Sequence, residues 1–207
     1  MMTHFSIKNG VLEGANFMPS PNFNTRPTID GTPTIDGIVI HNISLPPSQF
    51  EQTDKNGIHF VEAFFQNQLN PNDHEYFTTI YTMKVSAHLF IKRNGKIVQF
   101  VNFDDRAWHA GESVYLGRRN CNDFTIGIEL EGDDFSPFTD AQYTALAQVI
   151  HAIYQAYPKT MRHLMGHSDI APTRKSDPGK FFDWSRIRQM IETLCLNNND
   201  SKIKTTI

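Results

Sequence analysis

The chain has 207 residues, 39% of them hydrophobic and 12% aromatic, with a formal net charge of -3 at pH 7. That length buries one substantial core and is short for two, so a single globular domain is expected. Charges of both signs are spread along the chain without a basic stripe or polycationic tail, so nothing argues for nucleic acid or an anionic membrane as partner, and no obligate protein partner is implied.

The first ten residues lack the uninterrupted apolar stretch of a secretory signal, and no window approaches the run of about 20 apolar residues that spans a bilayer. A cytoplasmic location is the expectation. Cys121 and Cys195 are too few and too far apart for a disulfide framework or a cysteine zinc site, and both are expected as reduced thiols.

Residues 1–35, punctuated by Pro19, Pro21, Pro27 and several glycines, predict an extended lead-in packed on the domain, with no helix. Residues 37–41 form a short apolar run with β-branched members, a buried strand that ends at His41. Val61, Phe64 and Phe65 recur at helical spacing within 58–69, and Asn70-Pro71-Asn72-Asp73 closes that helix. Segments 88–92 and 96–101 flank a turn containing Asn94-Gly95, the strongest short-range signal for a hairpin.

Residues 124–130 alternate, so Phe124, Ile126, Ile128 and Leu130 share one face and Thr125, Gly127 and Glu129 the other, pointing away from the apolar layer. Thr139 and Gln142 make a capping box ahead of the apolar stripe Leu146, Val149, Ile150, Ile153, Tyr154 and Tyr157. Residues 161–166 then deliver His167 into a proline-bearing loop, 182–194 resume helical periodicity, and 197–207 form a polar, frayed tail. Strands mixed with helices, one hairpin necessarily antiparallel, imply a mixed α/β class: a single domain with a mixed central sheet flanked by helices.

Nine histidines exceed what a metal site needs. His4 sits in the lead-in, His59 and His74 on or beside the first helix, and His151 off the apolar stripe of the long helix, all settings of bystanders. His41 and His167, with Asp177 in a loop that also carries Pro172 and Pro178, supply two imidazoles and one carboxylate, the ligand set of a catalytic zinc with an open fourth position. The same three residues also fit a strand-end histidine satisfied by backbone and an aspartate shaping a turn before Pro178. Spacing alone does not choose.

Four stretches do: 39–47 (VIHNISLPP), 108–111 (WHAG), 127–132 (GIELEG) and 166–179 (GHSDIAPTRKSDPG). Together, in order and within about residues 19 to 184, they resemble the motifs of the type 2 N-acetylmuramoyl-L-alanine amidase family, in particular its AmpD-like cytoplasmic branch. The resemblance implies a peptidoglycan-recognition-protein-like fold with a catalytic domain over 36–196. It implies Zn²⁺ as cofactor on His41, His167 and Asp177, and Glu129 and Lys175 as catalytic residues. It also places Asn42, Lys84, Trp108 and Ala171 at positions that contact a small muropeptide substrate. The implied reaction is hydrolysis of the amide between the (1,6-anhydro-)N-acetylmuramyl lactyl group and L-alanine during cytoplasmic peptidoglycan recycling. Such activity also lowers the fragments that signal wall damage and induce β-lactamase.

A carboxylate such as Glu129 takes the proton of an attacking water and passes it to the departing nitrogen. Glu131 has the same strand parity, so alternation does not separate the two; the motif selects Glu129. Lys175 suits stabilisation of an oxyanion, while without the motif it reads as a surface lysine. Lys84 and Asn120 stand where close relatives are expected to carry arginine, and lysine cannot reproduce arginine's bidentate grip on a carboxylate. Either recognition of the peptide's acidic groups is weaker here, or Arg118 or Arg119 supplies the charge. His88 and His109 either hydrogen-bond the site from behind or pack as loop residues. Two other readings are a muropeptide-binding module, which the complete ligand set disfavours, and a phage-type lytic amidase, for which no wall-anchoring repeat is present.

Overall fold

In the computed structural model, which describes residues 5–29 and 31–197, the apolar segments assemble into one six-stranded sheet. Its strands are β1 (Asn16–Phe17), β2 (Gly37–Ile43), β3 (Leu89–Ile91), β4 (Ile97–Gln99), β5 (Thr125–Glu131) and β6 (Leu164–Gly166). They lie in the order β6-β2-β5-β3-β4-β1. β5 runs parallel to both β2 and β3, β6 parallel to β2, and β1 parallel to β4, while β3 and β4 form the expected antiparallel hairpin. Gly95 takes the left-handed conformation that the hairpin turn demands, at φ +80°. The sheet is therefore mixed, as the element pattern implies.

Among the described residues four α-helices accompany it: α1 (Phe60–Phe65), α2 (Asp140–Ala156), α3 (His167–Ile170) and α4 (Trp184–Asn197). α2 starts where the capping box places it, with Thr139 accepting from the Gln142 N–H at 3.1 Å. Its apolar stripe and that of α4 cover one face of the sheet, so Leu146, Val149, Ile150, Ile153, Ile187 and Ile191 share a core with Ile38, Ile40, Ile126, Ile128 and Leu130. α1 is shorter than the periodicity of 58–69 predicts, because the chain turns left-handed at Asn67. A 3₁₀ turn at Glu75–Thr79, which the apolar spacing does not announce, follows it. His59 and His74 cap these two elements through Nδ1, accepting from Val61 N and Tyr76 N. α4 begins two residues later than expected, and the polar tail, apart from Asn197, lies outside the described residues.

All seven residues of β5 are buried, so the expected polar face does not look out at solvent. A strand with parallel neighbours on both sides is covered on both faces. The side that carries Thr125, Gly127 and Glu129 lies under the 108–111 loop, and Phe124, just before the strand, joins a small cluster with Val39 and Met165 instead of the helix-side core. The N-terminal segment is tied in by short pairings rather than by helix. β1 extends the sheet edge, and Phe23–Thr25 pairs with Asp105–Ala107. Arg26 is 2% exposed and donates to the carbonyls of Phe103, Asn122 and Thr125 at 2.9–3.1 Å. Such bonds are what make a buried guanidinium tolerable, and burial lowers its pKa to about 10, leaving it cationic at neutral pH. Among the described residues no helix is long and apolar enough to cross a membrane.

Candidate active site

β6, β2, β5 and β3 run in one direction, and the crevice beyond the carboxyl ends of parallel strands is where ligands bind in sheets of this kind. His41 lies in β2 two residues before its end, on the face opposite α2 and α4. It is not the last strand residue, as the apolar run suggests, because β2 continues to Ile43. His167 is the first residue after β6 and starts α3, a one-turn helix that replaces the expected loop. The Ser168 N–H donates to the Asp177 carbonyl at 2.9 Å, which folds the loop back and returns Asp177 to His167.

Three side-chain atoms converge as a result. His41 Nδ1 and His167 Nδ1 are 2.9 Å apart, and Asp177 Oδ2 lies 3.2 Å from the first and 3.1 Å from the second. The imidazoles are 1% and 4% exposed and the carboxylate 13%. Among the described residues this is the one group of three or more His, Cys, Asp or Glu side chains arranged to hold a metal ion. The far nitrogens are engaged as well: His41 Nε2 meets His109 Nδ1 at 2.9 Å and His167 Nε2 meets the Ala110 carbonyl at 3.1 Å. Burial pushes the His41 pKa down to about 4, so the ring is neutral near pH 7 and has a lone pair to offer.

The parallel register sets Glu129 of β5 directly beside His41 of β2. Glu129 is 9% exposed, and its Oε2 is the one buried side-chain oxygen or nitrogen without a hydrogen-bond partner among the described residues. Burial, reinforced by the charge of Asp177 and opposed by Lys175, holds its pKa well above the usual carboxylate range. Glu131 is committed elsewhere. It accepts from His59 Nε2 at 2.9 Å, from Arg93 N at 3.0 Å and from the Glu51 N–H. The two carboxylates that alternation leaves equivalent thus have different surroundings.

A cavity of about 400 Å³ opens over this group, lined by His41, Asn42, Glu129, His167 and Asp177, with Lys84, Trp108, Arg174 and Lys175 around them. Asn42 Nδ2 donates to Asp134 at 2.8 Å, and the Trp108 indole N–H to Asn24 Oδ1 at 2.7 Å. Ala171 is not brought to the wall. It is buried, its N–H bonds the His167 carbonyl, and its own carbonyl accepts from Arg174 N and Lys175 N. Arg118 is also elsewhere, paired with Asp36 and stacked 3.7 Å from the centre of the Phe124 ring; neither it nor exposed Arg119 lines the cavity. Arg174, which sequence reasoning left unassigned, does, and it donates to the carbonyls of Ala110 and Glu112. A larger cleft of about 480 Å³, bordered by Asp36, Arg118 and His163, holds none of the converging ligand atoms, so chemistry and not size identifies the site.

Residues 31–180 match the N-acetylmuramoyl-L-alanine amidase family. The chain is 56% identical over 150 residues to the 1,6-anhydro-N-acetylmuramyl-L-alanine amidase AmpD of Haemophilus influenzae, covering 72% of this chain and 78% of that protein. It superposes on a crystal structure of a selenomethionine AmpD derivative with a TM-score of 0.83 at 47% identity, over 89% of this chain and 98% of the other. It is similar, at 27% identity and a TM-score of 0.56 over 90% of this chain and 65% of the other, to the amidase AmiD from E. coli. That enzyme was solved with the substrate anhydro-N-acetylmuramic acid-L-Ala-D-γ-Glu-L-Lys. With a family match across most of its length and a relative more than half identical, the chain belongs to the N-acetylmuramoyl-L-alanine amidase family.

Proposed function

We propose that this chain is a zinc-dependent amidase that hydrolyses the bond between the lactyl group of (1,6-anhydro-)N-acetylmuramic acid and L-alanine in small muropeptides, within cytoplasmic peptidoglycan recycling. The observation that carries the reading is the buried His41, His167 and Asp177 triangle with the unpartnered oxygen of Glu129 in the adjoining strand. Ligands at 2.0–2.2 Å from a tetrahedral zinc lie roughly 3.3 Å from one another, and the three separations here, 2.9, 3.1 and 3.2 Å, are close to that. Two nitrogens and one oxygen with a cavity on the open side fit a catalytic ion in preference to a structural one.

When bound, zinc supplies Lewis acidity and lowers the pKa of water toward about 7. The remaining work falls to side chains. Glu129 receives the proton of the attacking water and returns it to the departing nitrogen of alanine, and its raised pKa brings it nearer the range where a carboxyl both takes and gives a proton at neutral pH. Lys175 provides positive charge at the cavity wall for the oxygen of the tetrahedral carbon. Asn42, held by Asp134, and Lys84 face the peptide, with Arg174 a further cation close by.

Incubation of the purified protein with a synthetic anhydromuramyl tripeptide should release free peptide, detected by mass spectrometry, and a chelator should abolish the release. Little peptide should come from intact sacculi; equal or greater release from sacculi would replace the recycling role with a lytic one. Trp108 offers a flat face, fixed by its bond to Asn24, for the sugar. Trp108→Ala is expected to lower kcat/KM for the sugar-bearing substrate about tenfold, the ~1.4 kcal/mol available from such a face, with zinc content unchanged.

A further inference from the structure

Around His41 the hydrogen bonds can run in only one direction. The Thr125 Oγ1 lies 2.7 Å from the Cys121 carbonyl, which only accepts, so the hydroxyl hydrogen points there. What Thr125 then presents to His109 Nε2, 3.3 Å away, is a lone pair, and Nε2 must be the nitrogen that carries hydrogen. A neutral imidazole has one N–H. His109 Nδ1 is therefore bare and accepts from His41 Nε2 at 2.9 Å. We infer that His109, set by Thr125, is a positioning residue that fixes the tautomer of His41, so that His41 Nδ1 faces the metal position as a bare lone pair before any ion arrives. This inference rests on the reading of His41 as a zinc ligand.

The surroundings hold His109 to that task. Asn122 Oδ1 accepts from the backbone N–H groups of both His109 and Ala110, at 3.0 and 2.7 Å, and so sets the ring's approach from the 108–111 loop. Gly127 of β5 makes room beneath it: a Cβ there would fall 2.3 Å from the His109 ring. An isolated glycine inside a strand marks such close approaches. His41 is 1% and His109 9% exposed, and the two nitrogens of His109 meet His41 Nε2 and Thr125 Oγ1, with no carboxylate among these partners to balance a charge, so the count of one hydrogen on the ring holds. His88, edge-on behind it at 5.8 Å between ring centres, accepts from the Gly127 N–H at its own Nδ1 and does not compete for His109. With the His109 tautomer reversed, its Nδ1–H would meet His41 Nε2, and the hydrogen of His41 would move to Nδ1, into the place of the metal.

The test uses the full chain, zinc-loaded and chelator-stripped. Thr125→Val keeps the shape of the side chain and removes the acceptor, and it should weaken zinc affinity, read by competition with a chromogenic chelator, by about 10- to 100-fold. Thr125→Ser should restore it. Ring ¹⁵N shifts of the wild-type protein should show His109 with hydrogen on Nε2 in both zinc-free and loaded forms. Wild-type affinity in Thr125→Val, a loss that serine does not restore, or hydrogen on Nδ1 of wild-type His109 would each overturn the relay. The ligand reading fails separately, if His41→Ala retains stoichiometric zinc.

Discussion

Replacing His41, His167 or Asp177 with alanine is expected to remove zinc and activity together. Loss of a residue that merely orients a ligand already costs 10- to 100-fold in metal affinity or activity, so deletion of a ligand should exceed about 100-fold. The fold should survive. The core formed by α2, α4 and the helix-side face of the sheet does not include these three residues, and no other group of candidate ligands occurs among the described residues. Zinc content by atomic absorption, circular dichroism and peptide release together make the check. A variant with stoichiometric zinc and normal turnover would remove that residue from the ligand set. His167→Ala has a secondary cost, since it frees the Ala110 carbonyl of one partner and leaves Arg174 as the other.

Glu129→Gln should keep zinc and lose at least about 10²-fold in kcat, because the amide preserves shape but has no basic oxygen to receive a proton. Lys175→Ala should spare zinc and slow the chemical step on the order of 10²-fold. Glu131→Gln is the informative companion. Its carboxylate accepts from His59, Arg93 N and Glu51 N, so its replacement should act mainly on stability, as a lower Tm with near-normal turnover of the folded fraction. A dead Glu131→Gln beside an active Glu129→Gln would exchange their roles.

Much of the fold was determined locally and was therefore readable. Asn94-Gly95 specifies its hairpin because the glycine accepts the left-handed backbone that the turn requires, and Thr139 with Gln142 start α2 because the cap satisfies orphan N–H groups within four residues. The motif stretches likewise carried the family, and they include the three residues that the fold brings together as a candidate metal site. Tertiary structure decided everything that depends on separations of tens of residues. Period-2 alternation cannot distinguish Glu129 from Glu131; the pairing of β5 with β2 does, by setting one beside His41 and leaving the other to His59. The polar face expected for β5 is buried because its neighbours on both sides are parallel strands and a loop closes over it. The arginine at the cavity is Arg174 and not Arg118, since Asp36 and the Phe124 ring hold Arg118 away. Which nitrogen of His41 is bare follows from Thr125, His109 and the Cys121 carbonyl, three groups distant from His41 in the chain that meet it only because the sheet and the 108–111 loop bring them into hydrogen-bonding distance.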